Sequence, residues 1–249
     1  MNRLVILISI LGLIATFSCV RDETYDIIKP PIEQTDTVIN LNILEPSGLA
    51  FSQNKDALYT VSDNTGKVYK ISLKGVTLEE LPFVGVDLEG IDVDKTNGEI
   101  WVVEEGLQKI NHLTTDGVQI KSITSVHVNT IASSGFEGLA KNGDILYILV
   151  EKSPGALIAY HISTNLWIQY SLSFANDYSG IDYDSTDDTL WIVSDESKTL
   201  YHCTLSGGLI ASQPIDVEQA EGVAIDRQNS TAWIVSDLRS TLHRIKIKI

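Results

Sequence analysis

From residue 47 onward, short runs of alternating apolar and polar residues recur with a fixed period. Each repeat opens on a head: SGLAF (47–51), EGIDV (89–93), EGLAK (137–141), SGIDY (179–183) and EGVAI (221–225). The head glycines Gly48, Gly90, Gly138, Gly180 and Gly222 are spaced 42, 48, 42 and 42 apart. A second run follows each head (LYTVSD, IWVVEE, LYILVE, LWIVSD, AWIVSD), then a third (KVYKISL, LQKINHL, ALIAYHI, TLYHCTL, TLHRIKI). The fourth run is less regular, as in TLEELPFV and LWIQYSLSF. Turn formers separate the runs, in segments such as KTNGE, KNGD, STDDT and RQNST. Four short strands per repeat predict an all-β chain, a five-bladed β-propeller of four-stranded antiparallel blades over residues 38–249. The last repeat stops after its third run at Ile249. Its fourth strand is therefore expected from VINLNIL (38–44), an N-terminal strand that closes the ring and leaves no open sheet edge. A sixth blade does not fit into the six-residue excess between Gly90 and Gly138. A β-sandwich would explain the alternation but not the period.

Upstream of the repeats the pattern changes. Leu4 to Phe17 is a nearly continuous apolar run of 14 residues, preceded by Arg3. A membrane span needs roughly 20 such residues, so the run fits a signal-peptide core over 1–18. It ends in Thr16-Phe17-Ser18-Cys19, which resembles a bacterial lipobox, with Thr16 in place of the usual leucine. Cleavage before Cys19 would make it the lipid-carrying N-terminus; an ordinary secretory signal with an incidental cysteine is the other reading. Residues 19–37 lack a hydrophobic period, contain Pro30-Pro31 and read as a tether. The expected address is the bacterial cell envelope, as an outer-membrane lipoprotein facing the periplasm or the exterior. A monomer is expected.

Charge narrows the function. The 249 residues carry 18 Lys plus Arg against 33 Asp plus Glu, a formal net charge of -15, while 43% are hydrophobic. That is enough apolar material for a core, and the field repels nucleic acid. Two cysteines, Cys19 and Cys203, make no disulfide framework. A thiol on an outer strand reads as structural.

The acids have an address of their own. In a blade, the first strand starts at the face to which the second returns, so two sets of residues should crowd one mouth of the channel. Ser47, Glu89, Glu137, Ser179 and Glu221 precede the head glycines; Asp63, Glu105, Glu151, Asp195 and Asp237 end the second runs. Eight of these ten are acidic, with Lys152 and Arg239 the best-placed cations. Clustered carboxylates raise one another's pKa unless a cation offsets them, and oxygen-rich clusters select hard cations. Glu89, Glu137, Glu221, Asp63 and Asp195 are therefore candidate Ca²⁺ ligands. Residues repeated in every blade equally suit structural latches that bond amides of the next blade. Asp92 and Asp182, two places after their glycines, are candidates to line the channel.

Catalytic motifs give no competing picture. His112, His127, His161, His202 and His243 show no HExxH spacing, and no GxSxG elbow, P-loop or Rossmann glycine pattern occurs. The second-run aromatics Tyr59, Trp101, Tyr147, Trp191 and Trp233 occupy equivalent positions and read as blade-to-blade packing. The longest insertion falls within 122–136 and suits a binding lip. The EGI and EGLA heads, the W/Y-x-V-S-D second runs and the lipoprotein-like N-terminus together resemble the SdiA-regulated family of bacterial propeller proteins, over about residues 40–249. That resemblance implies a propeller and carries no established reaction. Two functions are open: a lipid-anchored, non-enzymatic binding module with Ca²⁺ at the acidic mouth and an unidentified small-molecule or protein ligand, or a metal-dependent hydrolase of lactones, esters or phosphoesters using the same carboxylates. The module is favoured, because no histidine or basic general acid joins the acids, and no catalytic residue can be named.

Overall fold

The computed structural model describes residues 37–125, 135–152 and 154–249. Cys19, His127, the leader and all of the tether except Thr37 lie outside the described residues. The described chain is built of strands in five four-stranded sheets. After β1 (Thr37–Asn40), the first blade is β2 (Pro46–Phe51), β3 (Ala57–Ser62), β4 (Lys67–Ser72) and β5 (Thr77–Val84). The second is β6 (Leu88–Val93), β7 (Ile100–Glu104), β8 (Lys109–Leu113) and β9 (Gln119–Thr124). The third is β10 (Phe136–Asn142), β11 (Ile145–Val150), β12 (Ala156–His161) and β13 (Leu166–Ser171). The fourth is β14 (Gly180–Asp184), β15 (Thr189–Ser194), β16 (Thr199–Cys203) and β17 (Leu209–Pro214). The fifth is β18 (Ala220–Asp226), β19 (Thr231–Ser236), β20 (Thr241–Lys246) and the returning β1.

The five-bladed ring is thus closed by an N-terminal strand, with Val38 opposite His243 and Ile39 opposite Leu242. The closure is shorter than expected. β1 ends at Asn40, and Leu41 and Ile43 leave the ladder to pack with Trp233 and Leu49 between the fifth and first blades. The insertion also shrinks: residues 122–124 belong to β9, and 126–134 lie outside the described residues.

Each apolar core lies between two neighbouring blades. The second-strand aromatic of one blade packs into the core it shares with the next: Trp233 with Leu49 and Leu58, Tyr59 with Ile91, Trp101 with Leu139, Tyr147 with Ile181, and Trp191 with Val223. The glycine period has a related cause. A Cβ on Gly48 would stand 2.6 Å from the Glu89 carbonyl, and one on Gly222 would stand 2.6 Å from the Leu49 amide. Gly90 and Gly180 would likewise meet the heads of their next blades at 2.8 Å. Innermost strands approach so closely around the channel that only glycine leaves room.

Candidate cation site at the acidic mouth

Local geometry brings the acids together. In the first, second, third and fifth blades the register slips at the head, leaving one extra residue, which is Gly48 itself in the first blade, Glu89 in the second and Glu221 in the fifth. Such a bulge re-aims the side chain it carries. The approach to the head is tied to the end of the second strand. Glu45, Asp87 and Gln219, two residues before their head residue, adopt left-handed φ values of 44°, 60° and 45°. Their carbonyls accept the amides of Asp63 (3.1 Å), Glu105 (2.8 Å) and Asp237 (3.1 Å). In the fourth blade the Asp177 carboxylate performs this task, accepting the amides of Asp195 at 3.2 Å and Glu196 at 3.1 Å as well as the Ser194 hydroxyl.

The result is a cavity of about 140 Å³ lined by Glu45, Ser47, Asp63, Glu89, Glu137, Glu221 and Asp237. Two of its acids, Asp63 and Glu89, form a tighter group with Asp87, which does not line the cavity: one carboxylate oxygen from each of the three lies within 4.8 Å of the other two. Burial is the largest influence on these groups, and their neighbours are mostly other acids. Burial pushes Glu89 up to about 9, with the charges of Asp63, Glu221 and Glu105 adding to it and the Ser47 hydroxyl opposing it. Glu221 is pushed up to about 8 by burial and by Asp195 and Asp237. Glu137 is raised well above the carboxylate range by burial and by Glu89 and Glu105. Asp63 rises to about 6 through burial and a shared hydrogen bond with Asp87. Carboxyls so placed share protons when no cation is present, and a bound divalent cation would displace those protons.

Four of the five candidate ligands, Asp63, Glu89, Glu137 and Glu221, face the one cavity. Asp195 does not line it, although its charge acts on Glu221. Asp87 completes the tightest group and was missed, because it stands outside both repeated positions. The signal was present: a residue two places before the head carries a carboxylate in EPSG, DLEG and DYSG. The expected cations do not neutralise the cavity. Lys152 pairs with Glu151 at 2.6 Å and Glu196 at 3.1 Å, and Arg239 lines a separate cleft with Asp216 and Glu218.

The latch role falls on other residues. Among the described residues no head glutamate accepts a backbone amide. Asp92 and Asp182 do: their carboxylates each accept, at 2.6 Å, an amide of the following blade, from Lys141 and Ile225. Each amide follows an alanine, Ala140 or Ala224, so the alternation of Asp and Ala in the heads is a reach and the space that receives it. The other Asp92 oxygen accepts from Lys95 at 3.0 Å. The histidines pack as expected: His112 stacks on Trp101 with centroids 3.9 Å apart, and His202 on Trp191 at 4.3 Å. Cys203 is fully buried, and burial pushes its thiol up to about 12, which makes it inert.

Similar propellers occur among solved structures. A protein of unknown function from Bacteroides caccae is 9% identical, with a TM-score of 0.55 over 77% of this chain and 70% of that one. The virginiamycin B lyase of Staphylococcus aureus is 17% identical, with a TM-score of 0.54 over 81% of this chain and 80% of its own. A streptogramin B lyase is 16% identical, with a TM-score of 0.51 over 86% and 73%. At these identities the likeness is one of fold. The sequence match is more telling: the SdiA-regulated family model spans residues 32–238, most of the ring. The chain belongs to the SdiA-regulated family.

Proposed function

We propose that this chain is a lipid-tethered binding module of the bacterial cell envelope, held at the outer membrane through Cys19, whose acidic mouth takes a Ca²⁺ ion. The observation that carries the metal is the convergence of Asp63, Asp87 and Glu89 within 4.8 Å at the mouth of a cavity whose other acids are Glu45, Glu137, Glu221 and Asp237. Hard cations prefer six to eight oxygen ligands, and a wide set of carboxylates with room for water suits Ca²⁺ better than zinc. The apolar run before Cys19 and the tether after it support the anchor.

A ligand that binds only the folded chain stabilises it by about 2.7 kcal/mol at a hundredfold excess over Kd. Millimolar Ca²⁺ added to chelator-treated protein should raise the melting temperature, and the triple variant Asp63→Asn, Asp87→Asn, Glu89→Gln should lose that gain. A wild type indifferent to Ca²⁺ would return these acids to a proton-sharing structural role. The anchor has its own test: a fatty-acid probe should label the wild type in cells but not Cys19→Ser.

A second reading rests on the same site. Glu221, raised to about 8 and outside the Asp63, Asp87 and Glu89 group, holds a proton at neutral pH and suits general-acid work in a metal-dependent hydrolase of lactones, esters or phosphoesters. Calcium-dependent turnover of a model lactone, ester or phosphoester, abolished by Glu221→Gln while calcium still binds, would favour it; calcium binding without turnover favours the module.

A further inference from the structure

The mouth opposite the acids is a different chemical surface. The turns between first and second strands of all five blades meet there around a cavity of about 470 Å³. That lies within the range of small-molecule sites, roughly 300–1,000 Å³. Four blades bring a cation to it, Lys55, Lys95, Lys141 and Arg227, and Phe51 and Tyr183 bring aromatic surface.

The rim is built and held. Gln53 of the first blade donates to the Thr96 carbonyl of the second at 2.9 Å. Lys141 of the third blade pairs with Asp94 of the second at 2.7 Å. Arg227 of the fifth blade pairs with Asp184 at 2.9 Å and Asp187 at 3.1 Å, both on the fourth. Among the described residues no side-chain bond joins the turn of the fifth blade to that of the first, and Lys55 belongs to that open junction. Its turn holds it in the left-handed region (φ 57°), with its amide on the Ser52 carbonyl at 2.9 Å.

The pairing of charges separates these cations. Lys141 and Arg227 are committed to carboxylates. Lys55 has no carboxylate partner among the described residues, and its ammonium stands 5.4 Å from the Phe51 ring centroid. Lys95 bonds Asp92 at 3.0 Å and keeps 39% of its side chain exposed, with Asp182 and Asp94 also acting on its ammonium. Both ammoniums act on Asp182, whose other neighbours include the Ile225 amide.

We propose that this second mouth binds a small organic monocarboxylate, its carboxylate held by Lys55 and Lys95 and its apolar body resting against Phe51 and Tyr183. One unpartnered cation matches one anionic charge, whereas a dianion would meet Asp94, Asp182 and Asp184 without enough positive charge to offset them.

Benzoate is the probe, titrated into the full chain by calorimetry. Saturable binding is expected below about 10 mM. Lys55→Gln should weaken it roughly tenfold or more, Lys55→Arg should retain it, and the neutral benzamide should bind as poorly as benzoate binds Lys55→Gln. Inorganic phosphate should not displace benzoate. The proposal fails if benzoate shows no saturable binding, if Lys55→Gln binds it as wild type does, if benzamide binds equally well, or if phosphate displaces it. Because the probe and the Lys55 variants leave the acids untouched, this outcome is independent of the calcium titration.

Discussion

Glu89 and Glu221 carry protons in the folded chain that they would lose in the unfolded one, and this gives the metal-free protein a pH signature. The carboxyls of Glu89, Glu221 and Asp63 are raised to about 9, about 8 and about 6 from the ordinary carboxylate values of 4.5, 4.5 and 3.8. The folded state therefore binds more protons than the unfolded state between those limits. The stability these groups contribute is complete below pH 4 to 5 and lost as pH rises through the folded values. Urea unfolding without metal should show stability falling from about pH 5 toward pH 9, with a shallower fall in Glu89→Gln. A curve that rises over this range would contradict the packing of protonated carboxyls at this mouth. The latches make a separate prediction. Asp182→Ala orphans the buried Ile225 amide and should cost about 1–3 kcal/mol, whereas Asp182→Asn keeps an acceptor and should cost less. Equal losses in the two variants would remove the latch.

At the scale of strands, the ring depends on glycine at each head and on a borrowed strand. A methyl group on Gly222 would press on backbone of the first blade, which cannot swing away as a side chain could. Gly222→Ala should therefore destabilise by about 1–3 kcal/mol, the usual range for overpacking. Truncation tests the closure. Removing residues through 36 leaves every described strand intact, while removing them through 44 takes β1, Leu41 and Ile43 from the last interface. Burial of the two side chains alone is worth about 1.5–3 kcal/mol each, so only the longer truncation should lower the melting temperature strongly. The repeat was legible because glycine and the second-strand aromatics answer to a geometry that every blade shares. The strand boundaries at β1 and β9 were less so. Where a strand ends depends on whether the next apolar residue, such as Leu41, finds the ladder or the core.

The whole molecule is polarised along its channel. Acids from strand ends collect at one mouth, whereas the opposite turns bring Lys55, Lys95, Lys141 and Arg227 together with Asp94, Asp182 and Asp184, so a net charge of -15 conceals two unlike surfaces. The acidic mouth was legible from the repeat, since equivalent positions in a ring must meet. Which of its acids come closest was not, because a bulge, a left-handed residue at Asp87 and a carboxyl swapped for a carbonyl at Asp177 break the equivalence one blade at a time. Asp182 lines the cavity of the opposite mouth, but its bond to an amide of the next blade, like that of Asp92, is one that no spacing within a blade reveals. Calcium coordination at the acidic mouth is most directly tested by a crystal soaked in millimolar Ca²⁺. An ion held by Asp63, Asp87 and Glu89 at roughly 2.3–2.6 Å, completed by waters in the cavity, is the expected result. Electron density without an ion, with Asp63 and Asp87 still sharing their proton, would contradict it.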